Sequence, residues 1–451
     1  MQPFRILKCA ILAGLLMLLP SCGSLLSRGE TQGAPRERRI HDPRIESIAS
    51  DVELIRGLRF RGRIRCASME PWEIRELLIN RMRQQTDIRS ILAMERAYKK
   101  LGLLDGGASV PASMEALLSA KVKGLYDSEA GVLYVTAAAL VPPPPSDLHP
   151  PAPVVGAAMS DFLVAHELTH ALQDRHFGLD GLTGRASNDD MCLAVKALIE
   201  GDAIRTGIAL IEKRFGDRVA GTNLLEESVR ERLTPGSAKH GEIPEFLTLS
   251  VSFPYVHGTA FVEAVEAVGG WKAVDRLYRD PPMSTEQILH PERFLKSADP
   301  PVPVSPPDLG SVLGDRWQRT WTGVLGELNT RILLGRYLDI SEAMESASGW
   351  SGDRLSAYEN EAGSMVLAAW ITRWDSEADG WDFFNSWLKL VERRYGEALE
   401  RAEITEKVAL FETGEDLILV ERRGADVVVL AGVPSRLAGA ILAHLWEGLD
   451  K

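Results

Sequence analysis

The stretch Asp161-Phe-Leu-Val-Ala-His166-Glu167-Leu-Thr-His170-Ala-Leu-Gln173-Asp174-Arg-His176-Phe-Gly178 decides how the chain is read. Its apolar pattern is helical and Gly178 suits a helix C-terminus, so the segment is predicted to be one helix. Residues four apart project from the same helical face, which lets His166 and His170 reach a single ion. Zinc accepts neutral imidazole, and Glu167 beside it can take the proton of a bound water. The plainer expectation is a pair of core histidines satisfied by backbone or carboxylates.

Zinc needs a third protein ligand. His176 stands at the third-ligand position of the extended metzincin pattern, but Gln173 occupies the place where that pattern turns on a glycine. A non-glycine residue there continues the helix and points His176 away. The preferred candidate is Glu200, in the helical run Asp190 to Ala203, with Asp189 and Asp190 near its start as cap and dipole partners and Gly201 allowing close packing. Asp202 is a third candidate.

Upstream, Gly124 to Thr136 reads as a hairpin, with Asp127 to Gly131 at the turn and Val132 to Val135 as a strand. The proline-rich stretch 142–153 reads as an exposed connector. From Ile45 to about Leu104 the apolar spacing is helical throughout. Downstream, Tyr255 and His257, and His290 at the end of a short helix capped by Ser284, are the candidates for stabilising a developing oxyanion. Asp174 is a candidate to orient a ligand imidazole.

A second proline-rich stretch, 299–308, marks the best internal boundary. Beyond it, Met365 to Trp370, Val408 to Phe411, Leu417 to Val420 and Val427 to Leu430 read as strands, and Trp381 to Arg394 and Ser435 to Trp446 as helices. Trp350, Trp374 and Trp381 read as core aromatics, since no titratable cluster accompanies them.

At the N-terminus Arg5 and Lys8 precede an apolar run ending in Leu19-Pro20-Ser21-Cys22. That is the pattern of a signal peptide, and its end resembles a bacterial lipobox in which Cys22 is acylated. The chain is therefore expected to be exported and lipid-anchored to the cell envelope, at the outer membrane facing the periplasm in a Gram-negative host. Only Cys66 and Cys192 remain as thiols, which suits one disulfide or two free cysteines. A formal net charge of −12 with no basic stripe excludes a nucleic-acid partner. The divisions expected are 1–21 signal peptide, 22–44 flexible tether, 45–300 catalytic domain and 301–451 C-terminal domain.

His166 to Ala171 resembles the zinc-binding helix of thermolysin-like gluzincins. HELTHALQDRHF, ALIEGDA, FPYVHGTAFV and STEQILHPE together are similar to a group of largely uncharacterised bacterial and archaeal metallopeptidases, often secreted or lipidated. The similarity spans roughly residues 120–295 and, more loosely, the C-terminal part. It implies Zn2+ on His166, His170 and Glu200, Glu167 as base, and a peptide or protein substrate. The fold implied is α+β, with a mostly helical zincin-like domain bearing a small sheet and a smaller α+β C-terminal domain. Glu200 lies farther from His170 than the third ligand of thermolysin does, and Ile204 stands where those proteins carry an acidic partner for a ligand histidine. A silent zincin scaffold acting in envelope assembly, and hydrolysis of a non-peptide envelope component, are the other functions this pattern permits.

Overall fold

The structure, a computed structural model, describes residues 38–85, 87–118, 123–140, 152–216, 243–414 and 417–449. The signal segment, Cys22, most of the tether and most of the 142–153 stretch lie outside the described residues.

The described structure includes residues before Ile45. Strand β1 (Arg38–Arg39) precedes helix α1 (Pro43–Arg56), whose start is set by Asp42, which accepts from the Arg44 amide at 2.8 Å, and by proline at the first turn. The continuous helical pattern expected from Ile45 to Leu104 is interrupted. Strand β2 (Arg65–Ser68) separates α1 from α2 (Pro71–Gln85) and α3 (Ile88–Leu101). Four residues, Arg-Cys-Ala-Ser, are too few to show a period; β2 exists because it pairs in parallel with a strand far along the chain.

After α4 (Val110–Leu117), strands β3 (Gly124–Asp127) and β4 (Val132–Val135) form the expected hairpin. The sheet order is β1-β2-β4-β3, so β4 is internal and β3 is an edge strand, as is β1 at the other side.

Three long helices follow: α5 (Ala152–Phe177), α6 (Asp189–Phe215) and α7 (Glu245–Leu277), the last kinked at Gly269 and Gly270. Helix α6 is buried on nearly all sides from Asp189 to Ile204, because it lies between α5 and α7. The α6–α7 crossing is glycine on glycine. A Cβ on Gly201 would lie 2.1 Å from the Gly258 carbonyl oxygen, and one on Gly258 equally close to that of Ala197. Two backbones touch there, and this sets the position of the neighbouring Glu200. Short helices α8 (Thr285–Leu289) and α9 (Pro291–Ser297) end this part.

The remainder is a seven-stranded antiparallel sheet in the order β5-β6-β7-β11-β10-β9-β8. Its strands are β5 (Trp317–Gly323), β6 (Trp350–Asn360), β7 (Val366–Trp374), β8 (Leu399–Ile404), β9 (Val408–Thr413), β10 (Leu417–Arg423) and β11 (Asp426–Ala431). Helices α10 (Gly326–Gly335), α11 (Ile340–Ala347), α12 (Glu377–Tyr395) and α13 (Ala438–Leu449) accompany it. In β7, Ala368, Trp370 and Trp374 join one apolar cluster, while Leu367, Ala369 and Ile371 join another with α13. Both faces of the strand are therefore covered, which is why it reads as an unbroken apolar run. The chain is thus α+β. One apolar cluster runs from Leu198 and Phe253 of the helices to Trp370 and Phe383 of the sheet region, across the 299–308 segment.

Candidate metal centre

Helix α5 presents His166 and His170 on one face, both fully buried, with their rings edge-to-face at 4.5 Å. Helix α6, capped by the Asn188 side chain on the Met191 amide at 2.9 Å, carries Glu200 toward them. The Nε2 atoms of the two histidines are 3.0 Å apart, and Glu200 Oε2 lies 3.2 Å from that of His166 and 3.6 Å from that of His170. Among the described residues, Glu200 Oε2 accepts no hydrogen bond of ordinary geometry although it is buried. Burial alone would raise the Glu200 carboxyl; the two imidazoles reverse this and hold it well below the usual carboxylate range. These three side chains form the group capable of holding a metal ion among the described residues.

Glu167 stands beside the group, 4% exposed, and its Oε2 accepts the Tyr126 amide of edge strand β3 at 2.8 Å. The hairpin therefore anchors the carboxylate through a backbone group, which no side-chain pattern announces.

The other sequence-predicted residues make the following contacts. His176, half exposed, has Nε2 2.7 Å from the Arg59 carbonyl, on the side of α5 away from Glu200. Asp174 does not reach an imidazole: it accepts from the Tyr126 hydroxyl at 2.9 Å and the Leu179 amide at 3.2 Å, because the last turn of α5 faces β3. Asp202 faces Arg56 and Gln173 rather than the three donors. His290 Nε2 lies 3.0 Å from Glu327 Oε1 and 3.1 Å from Arg331, so α10 holds its imidazole. Tyr255 is buried in the apolar cluster that includes Phe162, Ala165 and Leu168. His257 stacks on Phe253 at 5.2 Å. Cys66 and Cys192 are free thiols, and burial pushes that of Cys66 up to about 11.

The expected partner for a ligand histidine is supplied by Gln173, whose Oε1 is 2.8 Å from His170 Nδ1. Its signal was legible: three residues after His170, it shares that helical face. Nothing in the sequence marks Arg56 and Tyr278, which complete the surroundings through Asp202.

Residues 316–441 match a family described as a domain of unknown function (DUF8575). The matched span covers the large sheet and leaves His166, Glu167, His170 and Glu200 outside it. No curated protein matches the chain. No solved structure matches it.

Proposed function

We propose that this is a zinc metallopeptidase of the gluzincin kind, with a zincin-like catalytic region formed by α5, α6 and the small sheet. In this reading it is exported, anchored through Cys22 to the envelope membrane, and acts on peptide or protein substrates. The observation that carries the proposal is the triangle of donor atoms. Tetrahedral zinc with bonds of roughly 2.0–2.1 Å places its ligand atoms about 3.3 Å apart. The three edges here are 3.0, 3.2 and 3.6 Å. Two imidazoles and one carboxylate leave a fourth position, as catalytic zinc sites do. Zinc bound there supplies Lewis acidity toward a water and a peptide carbonyl.

The chain's own residues do the rest. The Tyr126 amide fixes Glu167 through Oε2, and the Glu167 carboxylate takes the proton of the attacking water and returns it to the leaving amine. Burial of the surrounding side chains keeps these interactions in a low-dielectric setting, where they are stronger than in water. The resemblance of HELTHA and ALIEGDA to gluzincin motifs supports the same assignment.

One observation favours the silent-scaffold alternative: His166, Glu167, His170 and Glu200 are all at most 4% exposed. One experiment separates the two. Zinc content is measured by mass spectrometry on the detergent-solubilised full-length protein and its His166→Ala, Glu200→Ala and His176→Ala variants. Hydrolysis of a mixed peptide library is followed for wild type and Glu167→Gln. Near-stoichiometric zinc lost in the first two variants and kept in the third is expected, with hydrolysis falling by about 10²–10⁴ in Glu167→Gln. Zinc without hydrolysis favours the scaffold; no zinc ends the peptidase reading and leaves the scaffold.

A further inference from the structure

We propose that Gln173, held by Asp202 and Arg56, is a positioning residue that dictates which nitrogen His170 offers to the metal. The inference rests on reading the cluster as a zinc centre, and it concerns residues to which neither the motif nor the matched family assigns a role.

The polarity of the contacts is set from their far end. Arg56, the last residue of α1, is 2% exposed, carries only hydrogen-bond donors and stays charged. Its Nε lies 2.8 Å from Asp202 Oδ1, its Nη2 lies 2.8 Å from Asp275 Oδ1, and its guanidinium covers Trp271 at 4.4 Å. The Tyr278 hydroxyl also donates to Asp202 Oδ2, at 2.6 Å. With donors converging on both of its oxygens, Asp202 acts here as an acceptor.

Gln173 then has one permitted orientation. The amide atom facing Asp202 Oδ2 at 3.1 Å also faces the Ile199 carbonyl at 3.0 Å. Two acceptors converge on it, so it must be the NH2 nitrogen, with both hydrogens engaged. The oxygen is left facing His170 Nδ1 at 2.8 Å, so Nδ1 must carry the proton. A neutral imidazole protonated at Nδ1 has its lone pair on Nε2, the nitrogen that faces His166 and Glu200. The opposite tautomer would aim a proton at the metal. Through this relay an arginine just after the tether governs a ligand it does not touch, and α1 and the residue ending α7 are tied to the centre.

The test uses zinc alone with the full-length protein. Zinc affinity is measured by competition with a chromophoric chelator, and thermal melting on the zinc-free protein, for wild type, Gln173→Met and Gln173→Glu. Gln173→Met removes the acceptor at similar volume, and zinc is expected to bind about 10–100-fold more weakly. Gln173→Glu keeps an oxygen for His170 but sets a carboxylate against Asp202 and the Ile199 carbonyl. It should melt lower than the Met variant yet bind zinc more tightly. A merely structural role would rank the variants the same way in both measurements, and that result overturns the proposal, as do two variants that bind like wild type. Nitrogen NMR of labelled histidine in the zinc-loaded protein should show His170 bound through Nε2; binding through Nδ1 also overturns it. A wild type that takes no zinc fails differently, because it removes the metal-centre reading itself and the relay with it.

Discussion

The contact between helices α5 and α6 and the interior of the seven-stranded sheet bury different kinds of side chain. Between the helices, the fully or nearly buried side chains include His166, Glu167, His170, Gln173, Glu200, Asp202 and Arg56. In the sheet region the largest buried side chains include Trp350, Trp370, Trp387 and Tyr358, and α7 brings Phe246, Phe253 and Phe261 into the apolar cluster of Trp370. Trp370 meets Phe383 and Trp387 in tilted edge contacts at 5.4 and 5.8 Å. A buried polar group is tolerable only where its partners stand at hydrogen-bond distance, so the helical interior specifies geometry closely and gains little net stability from it. Aromatic packing makes no such directional demand and supplies burial energy instead. The helices bring the candidate donor atoms together, and the sheet region buries the largest aromatic side chains.

The sharpest test of that division is Trp387→Ala, which should cost about 3–5 kcal/mol by denaturant unfolding while the folded fraction keeps its zinc. Loss of zinc in parallel with stability would mean that the two regions do not act separately. Gly201→Ala should cost less, about 1–3 kcal/mol. Its Cβ meets the Gly258 carbonyl, so α6 must shift and Glu200 with it. Here zinc content should fall more than stability does, and an unchanged zinc content breaks the link between the helix crossing and the centre.

A third test uses pH dependence, at the seam between the regions. Asp190 of α6 accepts from the Thr285 amide and hydroxyl at 3.0 and 2.6 Å, and that hydroxyl accepts the Leu328 amide of α10 at 3.2 Å. Burial, followed by the nearby Asp353 and Glu327 carboxylates, pushes Asp190 up to about 8. The folded protein therefore binds this proton more tightly than the unfolded chain does. Stability from this group is complete below the ordinary aspartate range and is lost as pH rises toward about 8. Melting temperatures across that window should decline in wild type and decline less in Asp190→Asn; equal slopes would remove Asp190 from the seam.

Much of this was readable from the residues alone. The α5 and α6 helices, the hairpin, the Ser284 cap on the Gln287 amide at 3.3 Å and the four apolar strands of the sheet follow from local spacing. Strand β6 did not follow, because Gly352, Asp353 and Ser356 look like turn residues. Asp353 is buried in the strand because it accepts the Leu325 and Gly326 amides and the Trp350 indole at 2.8–2.9 Å. Trp381, expected in the core, is 37% exposed and lies beneath Arg422 at 5.0 Å, since it starts the outer face of α12.

The sequence by itself determined that His166 and His170 share a face and that Glu167 lies beside them, because helical spacing is a property of neighbouring residues and needs no distant partner. Only the tertiary structure decided that Glu200 rather than His176 faces them, that Tyr126 anchors Glu167, and that Arg56 reaches His170 through Asp202 and Gln173. Those outcomes depend on how closely two helices cross and which strand is left at an edge, and both are fixed by packing between segments far apart in the chain.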